Sequence, residues 1–236
     1  MRYADQWRKG RVFLLGDAGH LMPPWAGSGM QSGIRDAFNL TWKLREVLSG
    51  RLPESLLDSY EAERAPNVRF YTEVAIQLGR IIQQQLIEEE LAAMAPKPGE
   101  LPMLRNPWYD AGWCTGEVTS DGAVGKMLPQ PRVVDSAGRR CWLDDLLGDG
   151  FALLGAGIDP ASLLTPEQRE QWDRLGTRYF TVIGVDSAGH GHDDIVDLDG
   201  SLLSWMRGHA TTVIAVRPDR FVAAAQRSGL AVPCSS

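Results

Sequence analysis

The stretch from residue 10 to residue 44 constrains the fold more than any other part of the sequence. Residues 12–15 form a short apolar run of the length of a buried strand, and Gly16-Asp17 ends it. Pro23-Pro24 then stiffens an extended segment, because proline fixes its own φ angle and restricts the residue before it. This order predicts a buried strand, a turn and an extended loop.

The loop leads into a predicted helix. Gly27 and Gly29 allow the main chain to turn sharply or to approach a flat group closely. From Gly33 onward the sequence has helical spacing, and Gly50 stands where a helix would end. The residues at this spacing are Ile34, Ala37, Phe38, Thr41, Leu44 and Leu48. Because a helix N-terminus offers unpaired N–H groups and a positive dipole end, the arrangement favours a bound anion or a polarised carbonyl. A plain packing turn is the alternative.

The whole run resembles the second FAD-binding motif of the class A flavoprotein aromatic monooxygenases, especially the 3-(3-hydroxyphenyl)propionate hydroxylase type. The resemblance is strong over residues 2–72 and weaker over the remainder. The matching positions are Gly16-Asp17-Ala18, His20, Pro23-Pro24, Gly27, Gly29-Met30 and residues 35–40. Two positions differ from the family pattern: Gly19 stands where alanine is usual, and Gln31 where asparagine is usual.

The resemblance implies that Asp17 binds a ribityl hydroxyl of FAD. A carboxylate that follows a buried strand is well placed to accept such a hydrogen bond, although an Asx-type cap on the following turn is the structural alternative. Residues 26–31 would meet the pyrimidine edge of the flavin, where backbone donors stabilise negative charge on the reduced ring. The cofactor-binding residues implied in this way are Gly16, Asp17, Pro24, Gly27, Gly29, Met30 and Gln31.

Two neighbours of these residues, Trp25 and His20, receive separate interpretations. Trp25 is interpreted either as a flavin or substrate neighbour or as an aromatic packing residue. His20 is interpreted as a structural hydrogen-bonding residue and receives no catalytic role.

The family also has an earlier Gly-x-Gly-x-x-Gly strand–turn–helix that holds the pyrophosphate and the ADP half of FAD, and this sequence contains none. The sequence therefore resembles the C-terminal part of an FAD-dependent hydroxylase that uses NAD(P)H and O2 on a small phenolic substrate. No catalytic acid or base is assigned, and the isolated chain is expected to be inactive. The alternative is a non-catalytic remnant whose C-terminal domain serves association or structure, and the genomic sequence upstream would distinguish the two.

After Gly50 the pattern predicts a helix that Ala65-Pro66 breaks or kinks, and then a second amphipathic segment over residues 67–94. Prolines and glycines dominate the stretch from 95 to 102, which is typical of a linker. The predicted organisation is residues 1–95 as the C-terminal part of an FAD-binding domain, 96–127 as a linker and 128–236 as a further domain.

Residues 128–236 read as a small α/β domain. Strands are predicted at 132–135, 151–154, 179–185 and 211–216, and helices at 141–147, from Thr165 onward, and at about 221–228. The order resembles the thioredoxin-like C-terminal domain of these hydroxylases. The position after residue 154, where a redox dithiol would stand, reads Gly-Ala-Gly-Ile without cysteine, so dithiol chemistry is not expected there.

Composition excludes several other classes. With 24 basic and 30 acidic residues the formal charge is −6, which does not favour nucleic acid as a partner. No apolar run is long enough to span a bilayer and no signal peptide is evident, so a cytoplasmic location without membrane association is expected. Cys114, Cys141 and Cys234 are predicted to be free thiols. The loop His190-Gly-His192-Asp193-Asp194 is interpreted as a polar turn rather than a metal site, and a homo-oligomer is left open.

Overall fold

The computed structural model describes residues 1–83, 108–116, 118–187, 191, 194–226 and 229–233. Within them the chain forms two compact units. The first comprises residues 1–47 and 54–112, and the second comprises residues 48–53 and 113–236.

The first unit begins with four very short strands. β1 (Arg2–Tyr3) pairs antiparallel with β4 (His20–Leu21), and β2 (Arg8–Lys9) pairs antiparallel with β3 (Val12–Phe13). The prediction of a buried strand over residues 12–15 is therefore wrong in extent and in burial, since β3 has two residues and Val12 is 64% exposed. Among the described residues β3 pairs only with β2, so this segment is not part of a larger sheet that would bury it.

Helix α1 (Ser28–Leu48) starts five residues before the predicted Gly33. A 3-10 turn (Pro24–Ala26) precedes it, and Gly27 closes this turn in the left-handed region, with φ of 60°. Because glycine adopts that conformation without strain, the chain can reverse at Gly27 and enter the helix directly at Ser28.

Part of the face of α1 that the sequence marks as apolar points to solvent. Ile34 is 50% exposed and Phe38 is 66% exposed. The buried side of the helix is largely polar and recurs every three or four residues. Its polar members are Ser28, Ser32, Asp36, Asn39, Lys43 and Glu46, and the apolar side chains of Leu40 and Trp42 are buried beside them. The helix thus buries several charged side chains and exposes two of the apolar residues expected inside, which departs from the usual pattern of a surface helix.

The second long helix, α2 (Ser59–Ile82), follows a 3-10 segment (Glu54–Asp58) and contains Pro66. Of the two outcomes predicted at Ala65-Pro66, the break is therefore wrong, since the helix continues through the proline. Side chains on both sides of the proline are buried, among them Tyr60 and Arg64 before it and Val68 after it. Contacts on both sides hold the helix together where one backbone hydrogen bond is missing. The predicted continuation to residue 94 lies outside the described residues beyond residue 83.

A small apolar core lies beneath these elements, formed by Trp7, Leu40, Leu57, Tyr60 and Val68. The Tyr60 hydroxyl donates a hydrogen bond of 2.8 Å to the carbonyl of Leu14. This bond ties the turn that follows β3 to α2.

The second unit is built on a seven-stranded sheet. Its strands are β5 (Arg132–Val134), β6 (Arg140–Trp142), β7 (Ala152–Ala156), β8 (Arg178–Gly184), β9 (Asp194–Asp197), β10 (Val213–Val216) and β11 (Val222–Ala225). They are arranged in the order β11-β10-β7-β8-β9-β5-β6. β7, β8 and β9 are parallel to one another, and the other neighbouring pairs are antiparallel. The mixed α/β architecture predicted for this half of the chain is confirmed.

Three helices connect the strands: α3 (Leu143–Leu147), α4 (Pro166–Arg174) and α5 (Ser201–Gly208). The predicted start of α4 is confirmed, since Thr165 caps it and forms a reciprocal capping box with Gln168. Helix α3 begins two residues later than predicted, because Cys141 and Trp142 belong to β6.

The predicted closing helix at about 221–228 is wrong. Residues 222–225 form β11, which pairs antiparallel with β10. The alanine-rich sequence favours a helix locally, but Arg220 adopts φ of 70° in a turn that folds the chain back on β10. All four β11 side chains are then buried in the sheet, and tertiary packing overrides the local preference. Residues 227 and 228 lie outside the described residues.

Candidate functional site

The turn that carries Asp17 rests directly on α1. Residues Gly16–Ala18 form one 3-10 turn, with Gly16 at φ of 55°. A Cβ atom added to Gly33 would lie 3.2 Å from the Cα atom of Gly16, so the two backbones cross at a point where neither residue has a side chain. Glycine is required at Gly16 by its φ angle, and the close crossing explains glycine at Gly33.

Asp17 itself is exposed. The turn is closed by the backbone, through a 2.9 Å hydrogen bond from the Gly19 N–H to the Gly16 carbonyl. No hydrogen bond or ion pair holds the Asp17 carboxylate within the described part of the chain. The carboxylate is therefore available to a ligand, and it does not cap the turn.

The other predicted residues lie at the entrance to α1. Pro24 opens the 3-10 turn and Gly27 closes it, while Gly29, Met30 and Gln31 belong to the first turn of the helix. Met30 is 76% exposed, and Gln31 is exposed as well. The first N–H groups of a helix have no partner within the helix, so this turn presents donors at the positive end of the dipole.

Trp25 packs on α2. A Cβ atom added to Gly79 would lie 2.5 Å from the Cδ1 atom of the Trp25 ring, so the ring covers the backbone of α2 at that glycine. The ring remains 42% exposed. The contact supports the packing interpretation of Trp25 and anchors the turn that precedes α1.

A buried cluster of charged groups lies behind the Gly16 turn. The Asp36 carboxylate accepts hydrogen bonds from the Gly16 N–H at 3.0 Å, from Nε2 of His20 at 2.7 Å and from Nε of Arg64 at 2.8 Å. The side chains of Asp36, His20 and Arg64 are fully buried. Since a carboxylate only accepts, His20 donates from Nε2, and its Nδ1 atom has no hydrogen-bond partner among the described residues.

The electrostatics of Asp36 follow from these contacts. Burial by itself would raise the pKa of Asp36, because it disfavours the charged form. The hydrogen bond from His20, the positive charge of Arg64 and the Gly16 N–H act in the opposite direction and outweigh burial. The pKa of Asp36 is therefore held below its usual value, and the carboxylate is ionised.

A second buried ion pair joins the same two helices further along. Nζ of Lys43 lies 2.7 Å from Oε2 of Glu63, and both side chains are fully buried. Asn39 donates to the same Glu63 oxygen at 2.6 Å.

The sequence located the turn and the helix entrance but missed the groups behind them. Asp36 matches the motif, but its sequence position alone assigns it no role, and the same is true of Arg64. The signal for Asp36 is its position three residues after Gly33, which places it on the same face of the helix as the glycine crossing. Nothing in a single sequence indicates that Arg64 is its partner.

Other predictions concern sites outside this cluster. Cys114 and Cys141 form no disulfide among the described residues, whereas Cys234 lies outside them. His190, His192 and Asp193 lie outside them as well, and in the part of the chain that is described no three His, Cys, Asp or Glu side chains are grouped to hold a metal ion. No described helix is both long enough and apolar enough to cross a bilayer.

Two parts of the chain match known protein families. Residues 1–75 match a family described as an FAD binding domain, and residues 125–234 match the HcaD C-terminal domain. With these two matches in this order, the chain is similar to part of a class A flavin hydroxylase.

Particular relatives support this assignment. The chain is 34% identical over 245 residues to 3-(3-hydroxy-phenyl)propionate/3-hydroxycinnamic acid hydroxylase 2 of Burkholderia vietnamiensis, covering 94% of this chain and 45% of the relative. A hydroxylase with the same substrates in its name, from Escherichia coli, is also 34% identical, with 94% and 44% covered. The chain thus spans less than half the length of these curated relatives.

Solved structures of flavin-dependent enzymes are also similar to this chain. A complex of aklavinone-11 hydroxylase with FAD and aklavinone matches at a TM-score of 0.66 and 26% identity, covering 94% of this chain and 41% of that one. The rebeccamycin biosynthetic enzyme RebC with reduced flavin matches at a TM-score of 0.63 and 26% identity, with 94% and 43% covered. The fold of this chain is therefore that of a part of flavin-dependent monooxygenases.

Proposed function

We propose that residues 16–31 form the part of an FAD site that binds the ribityl chain and the pyrimidine edge of the flavin. The observation that carries this proposal is the exposed Asp17 carboxylate, which has no partner in the described residues and sits on a turn in backbone contact with α1. A ribityl hydroxyl is a suitable donor to that carboxylate. The open N–H groups at the start of α1 are suitable donors to a flavin carbonyl.

The enzyme to which such a site belongs is an FAD-dependent aromatic-ring hydroxylase that uses NAD(P)H and O2 on a phenolic substrate. The names of the relatives and of the solved structures support this activity. Bound FAD would supply the redox chemistry of the reaction. The residues of this chain bind and orient: Asp17 accepts from the ribityl chain, and Gly27 and Gly29 leave room for the flavin beside the backbone. No residue of this chain is proposed as the catalytic acid or base.

The isolated chain is proposed to bind FAD weakly and to lack hydroxylase activity. Its sequence contains no Gly-x-Gly-x-x-Gly motif, so the contacts to the pyrophosphate and the adenosine would be absent. The purified chain should be colourless and should not oxidise NAD(P)H in the presence of a phenol. A yellow preparation that keeps one FAD per chain through gel filtration would contradict this.

The role of Asp17 is tested in a full-length hybrid, in which residues 1–236 replace the matching part of the Escherichia coli relative. Asp17→Ala removes a charge-assisted hydrogen bond of about 1.5–3 kcal/mol, so the affinity for FAD should fall about ten- to hundredfold. Fluorescence titration measures the affinity, and circular dichroism checks the fold.

The matched control is Asp186→Ala, which removes an exposed carboxylate from a turn of the second unit. It should leave the affinity for FAD unchanged. If Asp17→Ala folds and binds FAD as tightly as the parent hybrid, the site assignment is wrong.

A further inference from the structure

We propose that Asp36 is a positioning residue for the flavin site. Its carboxylate accepts a hydrogen bond from the Gly16 N–H and thereby fixes the direction of Asp17. The inference rests on the proposed function, because it concerns the same site. Asp36 does not itself contact the ligand. It acts through one backbone hydrogen bond to the residue that precedes Asp17 in the turn.

The geometry makes the Gly16 turn dependent on that bond. Gly16 is in the left-handed region, and its Cα atom lies against Gly33 with no side chain between them. Few side-chain contacts can therefore hold this point of the turn. The Gly16 N–H to Asp36 bond, across 20 residues of sequence, supplies a directional contact where packing supplies little.

The carboxylate of Asp36 is itself fixed from two other elements. Arg64 on α2 binds one carboxylate oxygen through Nε, and its remaining nitrogens bind Oδ1 of Asn67 at 2.7 Å and the carbonyl of Ser32 at 3.3 Å. His20 on β4 binds the other oxygen. The turn, α1, α2 and β4 thus meet at one buried carboxylate.

Such a cluster can either stabilise the helix pair in general or position the Gly16 turn. The ion pair Lys43–Glu63 allows an experiment to distinguish these two roles, because it is also buried between α1 and α2. Lys43 lies seven residues beyond Asp36 on α1, about two helical turns or roughly 10 Å away. Loss of this pair should destabilise the helices without moving the Gly16 turn.

The experiment compares Asp36→Asn with Glu63→Gln in the full chain. Each change keeps the shape of the side chain and leaves a buried cation without its anion, which is costly in both cases. Hydrogen exchange of assigned amides in ¹⁵N-labelled protein reports the Gly16 bond directly. Titration with FAD up to about 5 mM, followed by the amide shifts of residues 16–31, reports even weak affinity.

We expect Gly16 exchange to accelerate about tenfold or more in Asp36→Asn, beyond any change in the helix amides, and FAD affinity to fall about fivefold or more. Glu63→Gln should change neither by more than about twofold. If the two variants alter Gly16 exchange and FAD affinity equally, Asp36 is a general stabilising residue and the inference is wrong. Arg64→Lys keeps the charge but loses the forked geometry, and serves as the second variant if Asp36→Asn does not fold.

The experiment distinguishes failure of the proposed FAD site from failure of the positioning role of Asp36. If the parent chain shows no amide shifts with FAD, the proposed function fails for this chain, while Gly16 exchange still decides whether Asp36 holds the turn. If the parent binds FAD and Asp36→Asn binds it equally well, only the positioning role of Asp36 fails.

Discussion

At the scale of single residues, the first unit depends on buried charges that are fully paired. Asp36 and Glu63 lie on opposite helices, and each faces a buried cation from the other helix. Pairs of this kind contribute little net stability over an apolar replacement, but the loss of one partner is expensive. They therefore fix which face of α1 meets α2 more than they raise the stability.

The lowered pKa of Asp36 predicts a specific pH dependence. A carboxyl whose pKa is lower in the folded state stabilises the fold above its unfolded pKa, about 3.9, and this contribution is lost as the pH falls towards the folded value. The free energy of unfolding of the first unit should therefore decrease as the pH falls below about 4. Urea titrations across this range should show a weaker dependence in Asp36→Asn. An equal dependence in both proteins would mean that other groups control the acid transition.

At the scale of elements, the orientation of α1 is the clearest difference from the sequence prediction. Helical spacing predicted the helix from Gly33 onward, and the structure extends it back to Ser28. The spacing did not identify the buried face, because this face combines Leu40 with polar residues whose partners, such as Arg64, are distant in sequence. Sequence reasoning assumes that apolar residues are buried, and for Ile34 and Phe38 that assumption is wrong.

The observed burial predicts unequal costs for two neighbouring apolar residues. Leu40 is 5% exposed, and Leu40→Ala should cost about 2–4 kcal/mol of unfolding free energy. Phe38 is 66% exposed, and Phe38→Ala should change it by no more than about 0.5 kcal/mol. Urea unfolding measures both. A Phe38→Ala cost equal to that of Leu40→Ala would show that the predicted face is the buried one.

The second unit shows what local sequence can and cannot specify. Thr165 with Pro166 and Gln168 carries a complete helix start within four residues, so α4 was predictable. The alanines of β11 carry a helical preference that the pairing with β10 reverses. The same limit applies to Pro66, whose effect on α2 depends on contacts made elsewhere in the fold. Local sequence signals thus predict where a helix starts better than they predict which elements pack together.

At the scale of the whole molecule, the composition of the sequence predicts domain boundaries near residues 95 and 128. The second unit has its own buried core around the seven-stranded sheet. The first unit has a smaller apolar core and exposes Ile34 and Phe38 of α1. These features favour a more stable C-terminal part.

Limited proteolysis checks this expectation. Trypsin should cut first within residues 1–127 and leave a resistant piece that begins near residue 128. Mass spectrometry of the time course identifies the piece. Early cleavage inside 128–236, with survival of residues 1–95, would show that the predicted boundary is wrong.

We propose that residues 16–31 bind the flavin end of FAD, and amide-shift mapping of the ¹⁵N-labelled chain with FMN tests this directly. ADP is the matched control, because FMN carries the ribityl chain and the ring, whereas ADP carries only the adenosine half. We expect millimolar binding of FMN with shifts concentrated at residues 16–17 and 27–31, and none of these shifts with ADP. If FMN causes no shifts up to about 5 mM, or if the shifts are confined to the second unit, residues 16–31 are not the flavin site.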